Sequence, residues 1–554
     1  LEQDAQALDE VIVTALGIEK KKDDDLSSST TVNTEAVSRA AESGVIQSMA
    51  GKTSGLKITR NSGDPGAGAY IQIRGQNTIN GNSNPLIILD GVPISNTSVG
   101  GETDGVTQQS RLNDINSEDI ESVTVLKGAA AAAVWGTGAA NGVLIIKTKS
   151  GRTGVERRVD VNVKSSVIVD KINVEFDKQG KFGQGSNGVW NPFTGNSWGD
   201  KISDRLGGAD QVTIGNERFE SETGNVYYPI TSKNSREVYN QTNRDQIFGT
   251  GFTFDNSVSV SFSGNNSNTF LSYSDWNQDG IIKGNSSYRR QTFRINNGVN
   301  LTDNITAKIT AGYTRINASR IQQGSNLAGL YLGYLRTSPD FDNRDYIGTY
   351  YDENNIPSQY SHRGYRDYLG SSAPIYNNPG WTINEQENPN EVERFIISPQ
   401  INWQLRDNLT LTARYGLDYY SDNRKTFFPV NSAADFAPGF YSESTIQEKT
   451  QNINVFLQSN YDVSDNFNFG WIVGTSLDRN EYSRLTGESR QFTNPEVGDL
   501  RLFGNAETIN EKPENFKEET RKSGAYAVIN AELFNQLFFE FSGRYERPST
   551  IEKN

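Results

Sequence analysis

The sequence predicts a mainly β protein: a transmembrane antiparallel β-barrel preceded by a small α+β domain and a short N-terminal docking strand. Three observations carry this. From about Arg157 onward, segments of roughly ten residues alternate apolar and polar side chains, the length at which a tilted strand crosses a bilayer. Tight turns alternate with long polar excursions over the same region. No run approaches the roughly 18 apolar residues a membrane helix needs, Ala129–Val134 being the nearest.

Composition sets the outer bounds. At 554 residues the chain exceeds one ordinary core, so several domains or one very large closed sheet are expected. A mean hydropathy of −0.63 reads as soluble, but a membrane barrel hides from hydropathy because only alternate residues face lipid. With no cysteine, disulfides, thiolate metal sites and cysteine nucleophiles are excluded. The single histidine, His362, sits among Gly, Tyr, Arg and Asp and reads as a loop residue. A net charge of −14 opposes binding to nucleic-acid backbones. Leu1 opens a polar stretch without a basic leader, so the chain reads as either cytoplasmic or processed, and the strand pattern favours processing.

Asp9-Glu10-Val11-Ile12-Val13-Thr14-Ala15 forms a short apolar strand between an acidic and a small polar pair. An unpaired strand near a terminus invites another chain to add alongside it; the alternative is an ordinary first strand of a domain. The polar remainder to about residue 32, with Lys20-Lys21-Lys22-Asp23-Asp24-Asp25 and a Ser/Thr run, reads as a flexible tether. Residues 33–155 read as one compact α+β unit. A short helix around Ser43–Ala50 precedes strands Leu56–Arg60, Tyr70–Arg74 and Leu86–Asp90. A helical turn Ser117–Ile120, strand Ser122–Lys127, an alanine-rich helix Gly128–Val134 and strand Val143–Thr148 follow.

Residues 156–554 change character. Val159, Val161 and Val163 start an alternation with the apolar residue in the odd register. Ile305 to Tyr313, Leu409 to Tyr419, Phe467 to Val473 and Leu537 to Tyr545 repeat it. Tight turns fall near Asn265, Asp303, Asp407, Asp465 and Asn535; polar excursions span roughly 171–256, 317–390, 422–446 and 482–520. Trp403, Tyr415, Tyr419, Tyr461 and Trp471 lie on the apolar face, as a lipid-interface girdle requires; core packing is the other reading. About 11 strands are counted, and an open sheet of that size would leave two bare edges in lipid. The sequence therefore reads as the front half of a barrel of about 22 strands.

The stretches Pro85-Leu86-Ile87-Ile88-Leu89-Asp90-Gly91-Val92-Pro93-Ile94 and Ile115-Asn116-Ser117-Glu118-Asp119-Ile120-Glu121-Ser122-Val123-Thr124-Val125-Leu126-Lys127-Gly128-Ala129 resemble the plug of TonB-dependent outer-membrane transporters. Trp135-Gly136-Thr137-Gly138-Ala139-Ala140-Asn141-Gly142-Val143 narrows the resemblance to the SusC/RagA-like branch. So do Asn277-Gln278-Asp279-Gly280-Ile281-Ile282 and Tyr288-Arg289-Arg290-Gln291-Thr292-Phe293-Arg294. The resemblance implies a TonB box at Asp9–Ala15, a plug inside the barrel lumen, an outer-membrane location in a Gram-negative bacterium and a periplasmic N-terminus. It also implies import of an oligosaccharide or peptide, with TonB (energised by ExbB and ExbD), a SusD-like surface lipoprotein lid and outer-membrane lipid as partners. Where relatives carry an arginine, this chain has Gly138, which puts that residue's salt bridge in doubt.

Substrate is expected at the plug apex, on loops Gln76–Asn84 and Ser95–Gly101, with Gln76, Asn77, Asn80, Asn82, Asn84 and Asn96 as contact candidates. Other motifs fail. Gly51-Lys52-Thr53 lacks the glycine a phosphate loop needs at position 46, which is Ile46. Asp275 to Gly280 has half a calcium loop, but Ser286 stands where the bidentate glutamate belongs. Gly63 to Gly68 is turn chemistry. No catalytic residue, metal site or cofactor is expected, and no enzyme activity. The rival reading is a plugged barrel serving as a structural scaffold of an outer-membrane complex without transport; an intact docking strand argues against it.

Overall fold

The computed structural model describes residues 11–13, 19–21, 29–33, 44–75, 83–97, 105–127, 135–151, 157–324, 329–464, 466–494, 501–534 and 536–550. The predicted alanine-rich helix at Gly128–Val134 lies outside them.

The first strands are β1 (Val11–Val13), β2 (Glu19–Lys21) and β3 (Ser29–Asn33). The helical turn Val45–Ser48 then leads to β4 (Leu56–Arg60), β5 (Ala69–Ile73), β6 (Leu86–Leu89) and β7 (Val92–Ile94). Two 3-10 turns, Arg111–Asp114 and Ser117–Asp119, precede β8 (Ile120–Leu126) and β9 (Val143–Thr148). Strands β3-β8-β9-β6-β7 form one sheet in that order, with β6 and β9 parallel, and β4 pairs with β5. Near-continuous apolar runs such as Leu86-Ile87-Ile88-Leu89 are what strands buried on both faces require. One face packs Ile87, Leu89, Val123, Val125, Leu144 and Ile146 with Ile71, Leu112 and Ile115. The other carries Ile88, Leu126, Val143 and Ile145.

The rest of the chain builds an eleven-stranded antiparallel meander, each strand beside its chain neighbour. Its first five strands are β10 (Arg158–Asp170), β11 (Gly251–Ser263), β12 (Ser267–Asp279), β13 (Ser287–Thr302) and β14 (Ile305–Ser319). The next four are β15 (Pro389–Arg406), β16 (Leu409–Phe428), β17 (Phe440–Ser464) and β18 (Phe467–Arg490). The last two are β19 (Glu514–Leu533) and β20 (Leu537–Pro548). The predicted odd register holds along most of them: Val163, Ile309, Ile401, Trp403, Ile453, Val473 and Phe541 are exposed on the outer face. In β11 the outward residues are instead even, namely Phe252, Phe254, Val258 and Phe262, because β11 pairs Phe254 with Val167 and Val260 with Val161.

The concave face holds the plug. Phe456, Tyr526 and Val528 pack on Trp135 and the outer face of β9, and Ile396 joins the opposite plug core. A barrel lumen is polar unless something fills it, and here buried apolar side chains of the wall appear where the plug sheet presses on them.

Two expectations are corrected here. Strands on the side of the long excursions run well past the apolar band: β16 to β19 are 20, 25, 24 and 20 residues long. Much of 422–446 and 482–520 is therefore hairpin rather than loop, held by pairs such as Lys425–Glu443 (2.8 Å) and Arg484–Glu514 (2.6 Å). Polar cross-strand pairing supports a ladder in water without an apolar signal. The excursions 171–250 and 320–388 are not separate loops either. Arg218–Ser221 pairs with Ile347–Tyr351 in a five-stranded sheet, around a core of Phe219, Phe341, Tyr365, Tyr368 and Leu369.

His362 belongs to that unit, in strand Pro357–Gly364, and is fully buried rather than in a loop. Its ring stacks on Trp381 at 4.5 Å, and its Nε2 accepts from the Asn378 amide at 2.7 Å. That fixes the proton on Nδ1, which donates to the Asn431 carbonyl at 3.1 Å. Burial pushes its pKa down to about 3.

Candidate functional site: docking strand, plug seam and apical cavity

Three sites follow the chain from its N-terminus to the apex of the plug. The docking strand is the first. Of Asp9, Glu10, Val11, Ile12, Val13, Thr14 and Ala15, only Val11–Val13 lies within the described residues, and it is a strand, β1. It is not unpaired as expected: β2 lies antiparallel to it, with Val11 opposite Lys21 and Val13 opposite Glu19. An apolar strand edge finds a partner, and the nearest one in the chain is six residues on. A strand has two edges, and among the described residues β1 pairs with β2 alone.

Downstream lies β3, the edge strand of the plug sheet. Among the described residues it pairs only with β8, Ser29 opposite Leu126 through Asn33 opposite Ser122.

The seam between plug and wall is the second site, and the sequence pointed to none of the ion pairs that hold it. Arg394 of β15 is 1% exposed. It donates to both carboxylate oxygens of Asp418 on β16 (2.8 and 2.7 Å), to Asp114 of the plug (3.1 Å), and to the carbonyls of Ser95 (3.1 Å) and Arg111 (2.5 Å). Asp418 in turn accepts from the Ser95 amide at 2.8 Å. Beside it Arg111 lies 3.6 Å from Asp114 and 3.8 Å from Asp422, with its guanidinium over the Tyr420 ring. Buried charges are tolerated only when paired and hydrogen-bonded. Two of these ion pairs cross the seam, Arg394 with Asp114 and Arg111 with Asp422, while Arg394–Asp418 and Arg111–Asp114 each lie within one domain.

Elsewhere the seam is set by close approach. Asp90-Gly91 makes the two-residue turn between β6 and β7, both residues at positive φ (48° and 83°). A Cβ on Gly91 would lie 2.0 Å from the Arg414 guanidinium, which donates to the Gly91 carbonyl at 3.0 Å. Glycine is thus required by conformation and by space. Beside Gly138 the wall supplies the cations: Glu546 pairs with Arg544 (3.0 Å) and Lys522 (3.4 Å) and accepts from the Thr137 amide (3.2 Å).

The third site is a cavity of about 660 Å³ between plug and wall. Asn84, Asn96, Tyr70 and Gln108 line it from the plug; Glu448 and Asn480 line it from β17 and β18. The structure thus brings Asn84 and Asn96 together on one cavity, while Gln76, Asn77, Asn80 and Asn82 lie outside the described residues. Glu448 accepts from the hydroxyls of Ser95 (2.6 Å) and Thr97 (2.8 Å) and from the Asn480 amide (2.8 Å), and the Ser110 hydroxyl donates to Asn96. Lined by amides, hydroxyls and one carboxylate beside the apolar Pro85, Ile87, Pro93 and Ile94, the cavity can hydrogen-bond a polar chain.

At its apex the plug also reaches the folded excursions. Val106 pairs with Gln322 in an antiparallel bridge, the Gln323 and Gly324 amides donate to the Gly105 carbonyl (3.1 and 3.0 Å), and Gln323 and Thr107 both donate to Asp64. Motifs set aside in the sequence have ordinary places: Asp275 faces outward on β12 and pairs with Arg289 at 2.9 Å.

The family TonB-dependent Receptor Plug Domain matches residues 21–143. The TonB-dependent receptor SusC of Bacteroides thetaiotaomicron is 26% identical over 572 residues, covering 100% of this chain and 50% of that protein. The TonB-dependent receptor P26 of Formosa agariphila is 26% identical over 91% of this chain and 44% of its own length. The chain spans about half the length of the curated relatives it matches. Among solved structures, the RagAB peptide importer in its open-open state superposes with a TM-score of 0.69 at 18% identity, covering 98% of this chain and 56% of that one. Its closed-closed state gives 0.68 over 94% and 55%. Residues 21–143 are thus a TonB-dependent receptor plug, and the chain as a whole is similar to SusC in sequence and to RagA in fold, carrying that plug and an eleven-stranded wall.

Proposed function

We propose that the protein imports an oligosaccharide or a peptide across the outer membrane of a Gram-negative bacterium, driven by TonB acting on Asp9–Ala15. In this reading residues 1–32 are box and tether, 33–155 the plug and 156–554 the first part of the barrel. The N-terminus is periplasmic. ExbB and ExbD energise TonB, and a SusD-like lipoprotein covers the mouth above the folded excursions.

The observation that carries the reading is mechanical. The docking strand and its partner β2 precede β3 in the chain, and among the described residues β3 is an edge strand held by one neighbour, so a pull that reaches it meets hydrogen bonds at one edge of the sheet rather than the whole plug. TonB would displace β2 or add to the free edge of β1, which needs strand-forming backbone more than particular side chains. The amide- and hydroxyl-lined cavity around Asn84 and Asn96 suits a polar, uncharged chain released from the lid side.

The test separates coupling from binding. Deleting residues 9–15 should abolish uptake while leaving the folded barrel and substrate binding at the cell surface intact; Val11→Pro, which removes a ladder donor, should impair uptake too. Uptake at the wild-type rate in the deletion would defeat the proposal.

A further inference from the structure

The outer face of the wall carries a cavity that import does not use. It measures about 450 Å³ and is lined by Tyr419, Lys449, Glu481, Ser483, Lys517 and Glu519, with Gln447 between them. These residues come from β16 to β19, strands with neighbours on both sides, so the wall is continuous around the cavity. Register puts them all on the lipid-facing side. Tyr419, Lys449, Glu481 and Glu519 form one cross-strand row, and Leu411, Leu457, Val473 and Ala527 form another on the same face, eight residues lower on each strand. Glu448, Tyr482 and Glu518 also border the cavity, but alternation sends their side chains to the lumen.

Height follows from the same ladder. The row Tyr415, Ile453, Leu477, Ser523 is the last apolar one. Arg479 and Arg521 stand opposite each other in the next, and the lysines come just above. At about 3.3 Å per residue along a tilted strand, Lys449 lies within roughly 10 Å of the apolar edge. That is the level of lipid headgroups, on the side away from the tight turns.

Charge gives the occupant. The whole chain carries −14, yet this patch has four cations, Lys449, Arg479, Lys517 and Arg521, against two carboxylates, Glu481 and Glu519. The arginines take the carboxylates: Arg479 lies 2.9 Å from Glu481 and 2.8 Å from Glu519, and Arg521 lies 2.6 Å from Glu519. Lys449 stays 4.0 Å from Glu481. The two carboxylates are thus neutralised within the wall, and the lysines add net positive charge beside a cavity at headgroup level. A compact ammonium suits phosphate as a point charge, and the Ser483 and Tyr419 hydroxyls can donate to its oxygens.

We propose that this cavity binds the phosphate group of an outer-leaflet glycolipid, whose acyl chains lie along the apolar rows below it. The site anchors the wall in its leaflet and is independent of import. The intact protein, purified in mild detergent, would be mixed with bisphosphorylated lipid A or its dephosphorylated form, desalted, and weighed by native mass spectrometry. The wild type should retain one bisphosphorylated lipid per protein and at least tenfold less of the dephosphorylated form. Lys449→Gln with Lys517→Gln should lose retention at least tenfold, whereas Lys449→Arg with Lys517→Arg should keep it. Lys425→Gln, which removes another exposed cation of the same wall, should match the wild type. Heat-modifiable gel migration confirms that each variant is folded, and the arginine variant reads out charge should the glutamine pair not fold. Equal retention of dephosphorylated lipid would overturn the proposal, as would undiminished retention in the glutamine pair, an equal loss in Lys425→Gln, or loss in the arginine pair.

Discussion

Replacing Arg394 by methionine keeps most of the side chain's bulk and removes its charge. Two carboxylates, Asp114 and Asp418, are then left at 0% and 1% side-chain exposure, and the Ser95 and Arg111 carbonyls lose a donor. Removing one partner of a buried ion pair costs about 3–5 kcal/mol, because the remaining charge is stranded away from water. Arg111, still 3.6 Å from Asp114, offsets part of this, so about 3 kcal/mol is expected, or roughly a hundredfold in the equilibrium for opening the seam. The cost falls on the plug–wall contact, since Asp114 and Ser95 belong to the plug and Asp418 to the wall. The assay is amide hydrogen exchange. The Ser95 amide donates directly to Asp418 and should exchange about a hundredfold faster, as should the turn at 111–115. Strand β9, buried within the plug core, should keep its protection. Adding Asp418→Asn leaves an acceptor for Ser95 without the stranded charge and should recover part of the loss. Ser95 exchange within twofold of the wild type would show that these ion pairs do not hold the plug.

Leu411→Arg should destabilise the barrel by about 2–4 kcal/mol in reversible urea unfolding from vesicles, while Thr410→Arg, facing the lumen, should be tolerated; equal effects would reverse the assigned faces. His362 makes the folded excursions sensitive to acid. Its ordinary pKa of 6.5 falls to about 3 on folding, so the unfolded form binds the extra proton between those values, and the stability present above pH 6.5 is lost as pH falls toward 3. From pH 7.5 to 5 the loss is about 2 kcal/mol. It should appear as faster exchange of segment 376–384 in the wild type than in His362→Gln. Raised Glu385 pulls the other way, so the difference between the two proteins is the readout, and no difference would refute the assignment. Finally, Val106→Cys with Gln322→Cys adds the only two cysteines to a chain that has none. Oxidation should abolish uptake without affecting substrate binding, and reductant should restore it; full uptake with the cross-link formed would mean the apex bridge need not open.

The plug core and the wall were legible because both rest on apolar periodicity. Leu86–Leu89, Ile120–Leu126 and Val143–Thr148 fall within a residue or two of their predicted spans, and the wall has the eleven strands counted. What periodicity cannot see is polar pairing. The upper halves of β16 to β19 carry polar residues on both faces, so they read as loop although their ladders are continuous. The sheet joining Arg218 to Tyr351 spans 133 positions of chain and leaves no local trace. Arg394, Asp418 and Asp114 are far apart in the chain, and only the fold makes them one cluster. Asn84 and Asn96 line one cavity between plug and wall.

The long strands bear on how anything docks at the mouth. A rim of free loops would have to lose its conformational freedom at the moment of contact, at about 0.5–1.5 kcal/mol for each immobilised side chain. Here the rim is already ordered, by ladders that continue roughly ten residues beyond the lipid and by a sheet and helices packed over Phe219 and Tyr334. A partner that landed on it would meet a rigid collar, so any hinge that let such a partner open and close would have to be its own.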